Sequence, residues 1–368
     1  MLPWFHNNFS ESIGEVAHAI AEKFISHGRV CRDVELTVGQ LFNKEVCLVS
    51  SGTAALWIIF KYLKSFQAEE KYGLSRRNKI IIQARTWIAT VNAAIISGFE
   101  PIIIDMDQDG SAIDIESLRS QVRTGEVAAI VVTHMNGRIA DMQSIKDLCL
   151  RENIFLVEDC AQALGSVLNG QSVGTFGHAA ILSFSVTKLI SGGQGGAVIT
   201  ADEELVRFVR AMCFQGGTGQ AFITSGGDFD RIGFNLRYTD ISATIVKSQF
   251  NSLSDRISHV WHVYENYARE LSSFDGITLL KNRPGEVPVY VEALVNNRLQ
   301  FIANCNDAGI EVRPFYPAVS EARFLDNKFS CPNADALVSR GVYLPCGPSI
   351  DIADVGTACH AISLALRS

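Results

Sequence analysis

Residues 128–159, AAIVVTHMNGRIADMQSIKDLCLRENIFLVED, contain two apolar runs separated by an amphipathic segment. The runs at 128–132 and 154–159 are continuous rather than alternating, which is typical of strands buried on both faces of a sheet. The segment 142–152 between them predicts a helix. A strand, a helix and a second strand in this order predict a right-handed crossover within a parallel sheet.

The same alternation continues on both sides of this unit. Further strands are predicted at residues 46–49, 80–82, 101–105, 180–184 and 196–200. Further helices are predicted at residues 54–66, 90–97, 115–122 and 203–214. We therefore predict an α/β fold with a mostly parallel central sheet, in which the last two strands are neighbours.

The chain divides by pattern into two parts. Residues 1–240 are predicted to form the large domain, whose first 45 residues are read as helical. Residues 241–368 are predicted to form a linking helix and a smaller C-terminal α+β domain, since apolar residues recur at helical spacing over 240–274. The stretch 215–235 is rich in glycine and polar residues, which predicts a mobile loop.

The composition excludes several classes of function. The chain has 368 residues, a net charge of −7, 47% hydrophobic and 19% charged residues, as in ordinary globular proteins. Its one basic cluster, residues 76–79, is too small to indicate nucleic-acid binding. The nine cysteines have no zinc-like spacing, and no metal site is predicted. With no signal peptide or membrane span evident, a cytoplasmic location is expected.

Ligands of open α/β sheets bind beyond the carboxyl ends of the strands, so the polar residues at those ends are the candidate site. Ser51-Gly52-Thr53 opens a predicted helix, where backbone N–H groups form a seat for phosphate; an ordinary helix cap is the alternative. Trp87 follows the next strand and is placed to stack on a planar ring, or else to fill the core.

Two further predicted strands are followed by residues with reactive or hydrogen-bonding side chains. Asp159 follows an apolar run, and a buried carboxylate there requires a cation or donors; capping a helix is the alternative. Gln162 is placed to donate a hydrogen bond to a ring oxygen. Ser183 and Lys188 precede a glycine run at 192–196 that matches no phosphate-loop pattern. A buried lysine loses its proton and becomes a nucleophile, although a lysine on a loop is more often exposed.

Together these groups describe one ligand: a flat aromatic cation with a phosphate arm and an aldehyde, which is pyridoxal 5′-phosphate (PLP). Phosphate is expected at the helix start with Ser183, and the ring under Trp87. The ring nitrogen is expected to pair with Asp159, and the aldehyde to form a Schiff base with Lys188.

From about residue 30 onward the sequence resembles the DegT/DnrJ/EryC1/StrS family of fold-type I, PLP-dependent sugar aminotransferases. The motifs that carry the resemblance are residues 51–56, 86–93, 101–105, 157–166, 183–198 and 233–237. Several motifs in the family order make the resemblance specific.

The resemblance also implies roles. Lys188 is implied to be both the Schiff-base lysine and the proton shuttle. Asn235 is implied to reach the cofactor phosphate of the neighbouring subunit, which gives a homodimer with a shared active site. Gln194 and Ser185-Val186 depart from the usual family residues beside the lysine, which leaves the choice of substrate and donor open. One branch of the family carries histidine in place of the lysine and removes a sugar hydroxyl, and Lys188 argues against that branch.

The sequence thus predicts an aminotransferase that moves an amino group from glutamate or glutamine to a keto sugar, most simply a nucleotide-linked one. Arg313 and Tyr316 are candidate substrate residues together with the loop at 215–230, although an ion pair within the protein explains Arg313 equally well. The alternatives are a PLP-dependent sugar dehydratase, an aminotransferase for a cyclitol or other ketone, and a non-catalytic PLP-binding regulator. A nucleotide-binding oxidoreductase lacks its phosphate fingerprint here.

Overall fold

A computed structural model describes residues 1–23, 25–217, 228–326 and 329–367. Its helices are α1 Ile13–Ala21, α2 Arg29–Phe42, α3 Gly52–Leu63, α4 Phe66–Tyr72, α5 Ala89–Ile96, α6 Ile115–Val122, α7 Met142–Glu152, α8 Glu203–Cys213, α9 Asp240–Phe250, α10 Leu253–Leu271, α11 Arg298–Asp307, α12 Pro332–Arg340 and α13 Ile352–Ala365. Its strands are β1 Glu45–Val49, β2 Lys79–Gln83, β3 Glu100–Ile104, β4 Val127–Thr133, β5 Phe155–Asp159, β6 Val167–Leu168, β7 Gln171–Ser172, β8 Ala179–Ser183, β9 Gly196–Thr200, β10 Ile277–Leu279, β11 Val291–Val295, β12 Arg313–Pro314 and β13 Gly341–Leu344.

Seven strands form the large sheet, in the order β1-β9-β8-β5-β4-β2-β3. The pairs β8–β5, β5–β4, β4–β2 and β2–β3 are parallel, and β9 alone runs against its two neighbours. The predicted α/β class and mostly parallel sheet are confirmed, and β8 and β9 are neighbours as expected. The carboxyl ends of the six remaining strands therefore meet at one edge of the sheet.

The large sheet is buried on both faces, as its apolar runs predict. In β2, Ile80 and Ile82 lie in the core that includes α3 and α5. Ile81, between them, lies in the second core, which includes α2, α6 and α7. Successive side chains of a strand point to opposite faces, so a continuous apolar run serves both cores.

The C-terminal part of the chain contains a four-stranded antiparallel sheet, in the order β10-β11-β13-β12. The first residues of the chain lie against this region, because Leu2 bridges to Ile310 and Phe5 to Cys346. The proposed domain boundary at residue 240 stays a prediction. Within the described residues, no helix is both long and apolar enough to cross a membrane.

Two helical predictions were wrong in part. The first nine residues, predicted as helical, are largely extended against the C-terminal region. The single long helix predicted over 240–274 is two helices, α9 and α10, separated at Asn251-Ser252. A two-residue interruption leaves the apolar residues of both helices on compatible faces, so hydrophobic spacing alone does not detect it.

Candidate active site

A pocket of about 280 Å³ lies at the carboxyl edge of the large sheet. This volume is close to the lower end of the range for small-molecule sites. Its lining includes eight residues predicted from the sequence: Gly52, Thr53, Trp87, Asp159, Gln162, Ser183, Tyr316 and Lys188. The strand tips that the sequence marked as polar therefore converge on one cavity.

The start of α3 forms one wall of the pocket. Ser51 caps this helix, since its Oγ accepts a hydrogen bond from the Ala54 N–H at 3.0 Å. The first-turn N–H groups have no acceptor within the helix, and the positive end of the helix dipole lies there. A Cβ at Gly52 would lie 3.2 Å from the Ser183 Cβ, so the helix start and the tip of β8 are in contact. Both expected phosphate ligands thus share one corner.

Asp159 ends β5 and is almost completely buried. Its Oδ1 accepts a hydrogen bond from the Ala161 N–H at 3.0 Å, and its Oδ2 accepts one from the Thr90 hydroxyl at 3.3 Å. Burial raises the pKa of Asp159, while these donors and the charge of Lys188 oppose the rise. A cation in the pocket would favour the ionised carboxylate.

The neighbouring acid, Glu158, is used differently. Its side chain is buried and accepts hydrogen bonds from the N–H groups of Gly174 at 2.7 Å and Gly177 at 2.6 Å. It also lies 3.2 Å from Nε2 of His134. These partners lower the pKa of Glu158 against the effect of burial. Glu158 therefore anchors a loop, whereas Asp159 faces the pocket.

Lys188 lies on the loop between β8 and β9, and its side chain is half-buried in the pocket wall. Desolvation lowers its pKa to about 8, although the nearby Asp159 carboxylate raises it. At mildly alkaline pH a substantial fraction of this amine is therefore uncharged, and an uncharged amine is a nucleophile. Lys188 and Asp159 line the same small cavity, as the sequence predicts.

The glycine run after Lys188 serves packing. A Cβ at Gly192 would lie 2.1 Å from the Tyr238 hydroxyl oxygen. At Gly195, where φ is +143°, a Cβ would lie 2.5 Å from the Tyr238 ring. Only glycine allows the loop to approach this ring so closely, which explains the run without a phosphate loop.

Gln162 is held in a single orientation. Its Oε1 accepts a hydrogen bond from the Asn136 N–H at 3.0 Å, which leaves its amide nitrogen as the group able to donate to a ligand. Asn136 has φ of 50° and is buried. Its side chain bonds the N–H and the C=O of Tyr290, each at 2.8 Å. Asn136 thus joins the pocket to the segment that precedes β11.

Two aromatic residues stand at the mouth of the pocket. Trp87 is 47% exposed and Tyr316 is 42% exposed, with their rings edge to face at 4.6 Å between centroids. Both line the cavity, so they are available to a ligand that enters it.

Two predicted residues lie outside the lining of this cavity. Asn235 is exposed and accepts a hydrogen bond from Nε of Arg237 at 2.9 Å. Arg313 pairs with Glu311 at 2.7 Å, which is the ion-pair alternative that its sequence left open. The roles predicted for Asn235 and Arg313 stay predictions. Of the loop 215–230, residues 218–227 lie outside the described residues.

Sequence reasoning missed the groups that hold the predicted residues. Thr90 donates to Asp159, Asn136 orients Gln162, and Tyr290 lines the pocket from the C-terminal part of the chain. The Asn136-Gly137 pair is a turn signal, yet nothing local indicates that it supports a ligand site. Tyr290 stands more than 100 positions from Lys188, and no local pattern connects the two.

A seven-stranded, mostly parallel sheet with Lys188 and the buried Asp159 in one pocket at its carboxyl edge fits the aminotransferase class predicted above. A model of the DegT/DnrJ/EryC1/StrS aminotransferase family matches residues 7–363, and the chain belongs to this family. The enzymes of this family depend on PLP, so the predictions of family, enzyme class and cofactor are confirmed.

Named relatives agree with this assignment. The chain is 31% identical to GDP-perosamine synthase of Escherichia coli O157:H7 over 86% of its own length and 84% of the relative. In fold it resembles Helicobacter pylori PseC, an aminotransferase of pseudaminic acid biosynthesis, with a TM-score of 0.89, 22% identity and coverage of 99% and 98% of the two chains. It also resembles E. coli GDP-4-keto-6-deoxy-D-mannose-3-dehydratase with bound hydrated PLP, with a TM-score of 0.87, 20% identity and coverage of 98% and 99% of the two chains.

Proposed function

We propose that this protein transfers an amino group from glutamate or glutamine to a keto sugar carried on a nucleotide, with Lys188 as the catalytic residue. The observation that carries the proposal is the pairing of a lysine of lowered pKa with a buried aspartate across one small pocket. The nucleotide-linked sugar is suggested by the name of the perosamine synthase relative.

The donor set fits PLP. The start of α3 and Ser183 offer N–H and O–H groups to a phosphate. Asp159 is a buried carboxylate that would pair with a protonated ring nitrogen, and Gln162 would donate to the ring hydroxyl. Trp87 supplies a flat apolar surface at the mouth. When bound, PLP acts as the electron sink for a carbanion at the reacting carbon.

Lys188 would have two tasks. Its uncharged Nζ would hold the cofactor covalently through the aldehyde carbon until an amino-acid donor displaces it. The freed Nζ would then take the proton from the α-carbon of the donor; water enters as the donor leaves as its keto acid, and the donor's amino group stays with the cofactor. In the second half of the reaction Nζ would return a proton to the sugar carbon that receives the amine, and the keto oxygen of the sugar would leave as water. Proton transfer by a positioned group contributes roughly 10²–10⁴-fold to the rate.

Two copies of the chain are proposed to share each site, with the exposed Asn235 reaching the phosphate corner of the partner's pocket. Tyr316 at the mouth is proposed to contact the sugar. Arg313 would have to leave its ion pair with Glu311 to reach a substrate phosphate. We also propose a cytoplasmic location.

The test follows the two halves of the reaction separately: uptake of the amino group from the donor, and its delivery to the sugar. Purified protein should be yellow, and glutamate or glutamine should convert the near-visible absorption to that of the pyridoxamine form. Addition of a panel of nucleotide-linked keto sugars should restore the original spectrum with one of them and yield an amino sugar. A protein that removes a hydroxyl from a keto sugar and yields no amino sugar would instead be a dehydratase. Fold likeness does not separate these activities, because the E. coli dehydratase has the same fold.

A further inference from the structure

The loop that carries Lys188 is held from outside the large sheet. The Tyr290 hydroxyl donates to the carbonyl oxygen of Thr187 at 2.8 Å. On the other side of the lysine, Gln249 of α9 bonds both backbone groups of Ser191, accepting from its N–H at 3.0 Å and donating to its C=O at 2.6 Å. Residues 187 and 191 are therefore fixed by side chains that come from remote parts of the chain.

Two longer contacts reach the backbone of the loop between Thr187 and Ser191. Nδ2 of Asn7 lies 3.4 Å from the carbonyl oxygen of Lys188. Nη1 of Arg256 on α10 lies 3.4 Å from the carbonyl oxygen of Leu189 and 3.3 Å from Oδ1 of Asn7. Three consecutive carbonyls of the lysine loop thus face three different donors.

Tyr290 is itself rigidly placed. Its backbone N–H and C=O are bonded by Asn136, which also orients Gln162. Its ring stacks on the buried Trp4, with centroids 5.9 Å apart and the planes 26° from parallel. The extended N-terminal segment is in turn pinned by hydrogen bonds between Cys346 N–H and Trp4 C=O and between His6 N–H and Cys346 C=O, both at 2.8 Å.

We propose that Tyr290, with Asn7, acts as a positioning residue that fixes the backbone of the Lys188 loop and so holds the lysine amine in its desolvated place in the pocket. This inference rests on the proposed catalytic role of Lys188. Five hydrogen bonds from four side chains outside the sheet restrict a loop that has no regular secondary structure at 184–195. A loop released from them would let the amine reach water. Among the described charged groups, Asp159 acts on the amine electrostatically, and Arg256, which contacts the loop, also pairs with Glu11.

The experiment compares two matched tyrosine variants. Tyr290→Phe removes the bond to Thr187, and Tyr267→Phe removes an equivalent bond from a buried tyrosine hydroxyl to the carbonyl of Pro345 at 2.8 Å, a residue that is not part of the lysine loop. The full-length chain, freed of cofactor, is treated with an amine-selective reagent at several pH values, and modification of Lys188 is followed by peptide mass spectrometry. Melting temperature is measured in parallel.

We expect both variants to melt slightly below the wild type, but only Tyr290→Phe to change the reactivity of Lys188. Its labelling rate at pH 8 should fall about fivefold, which is the effect of a tenfold higher proton affinity on an amine that is half uncharged. Asn7→Ala should act in the same direction, and Asn8→Ala, whose side chain bonds only the Ser10 N–H in this segment, should not.

A wild-type pH profile for Tyr290→Phe would overturn the proposal, and so would an equal change in Tyr267→Phe, because the effect would then be general. Neither outcome depends on transamination. Failure of the proposed function would appear separately, as a wild-type protein that does not bind PLP at Lys188.

Discussion

The pocket has two kinds of wall. One is made by the strand tips of the large sheet, the loop that follows β8 and the start of α3, which supply the reactive groups: Asp159, Ser183 and Lys188. The other is made by segments outside that sheet, which supply Tyr290 and Tyr316. Behind the pocket, Asn7 of the N-terminal segment contacts the backbone carbonyl of Lys188. The first wall carries the chemistry, and the second holds it in place.

This difference follows from the fold. The carboxyl ends of parallel strands lie at the same edge of a sheet, so the topology alone brings polar residues at those ends close together. A loop that leaves the sheet has no such constraint, and it needs hydrogen bonds from elsewhere to keep one conformation. Substitutions in the first wall should therefore remove activity with little loss of stability, whereas those in the second should affect stability and cofactor affinity together.

The largest effect is expected at Lys188. Lys188→Ala should lower the transamination rate by at least about 10³-fold, since both covalent attachment and proton transfer are lost. Steady-state kinetics with glutamate measure it, and the folded state should persist. Lys146→Ala on α7, outside the pocket lining, is the control and should react at the normal rate. A Lys188→Ala protein with normal activity would refute the assignment of the chemistry to this wall.

The next effect separates two adjacent acids. Asp159→Asn should lower the rate on the order of 10²-fold or more, because a neutral amide does not hold a charged ring nitrogen. Glu158→Gln should instead lower the free energy of unfolding by about 2–4 kcal/mol, since it disturbs buried bonds to the Gly174 and Gly177 N–H groups. Kinetics and urea unfolding on both variants test the contrast. Equal behaviour of the two would contradict the division of roles along β5.

The second wall is tested at Asn136. Asn136→Ala should lower the free energy of unfolding by about 2 kcal/mol, because two buried backbone groups of Tyr290 lose their partners. It should also weaken PLP binding, since Gln162 loses its fixed neighbour. Asn153→Ala, also at positive φ but with one exposed bond to the Tyr72 carbonyl, should cost less and leave PLP affinity unchanged. Unchanged PLP affinity in Asn136→Ala would show that the second wall does not support the first.

The smallest expected effect is an increase in the free energy of unfolding when Lys188 is replaced. Burial lowers the pKa of Lys188 to about 8, so protonating it costs the folded state free energy below that pH. Between pH 8 and 10 this lysine is protonated in the unfolded chain but largely uncharged in the folded one. The unfolded state therefore binds more protons, and the free energy of unfolding of the wild type should rise with pH across this window. Lys188→Met should raise the free energy of unfolding at pH 7 by about 1 kcal/mol, and the gain should shrink by pH 9. Urea unfolding of the cofactor-free proteins measures it, and a loss at pH 7 would contradict the lowered pKa.

The first wall could be read from the sequence, whereas of the second wall only Tyr316 was predicted and Tyr290 was not. Asp159 and Ser183 each end an apolar run, so their place follows from strand geometry. Arg313 shows the limit, because its Glu311 partner is two residues away and no pattern distinguishes an ion pair from a substrate ligand. Tyr290 and Asn7 are brought to Lys188 only by the tertiary fold, since both are more than 100 positions away in the chain.

The central claim is that the Nζ atom of Lys188 holds the cofactor. Borohydride reduction of the yellow protein, followed by proteolysis and mass spectrometry, tests it most directly. We predict that the added mass of the reduced cofactor is found on the peptide that contains Lys188. Its appearance on a different lysine, or its absence from every peptide of a protein that remains active, would contradict the account.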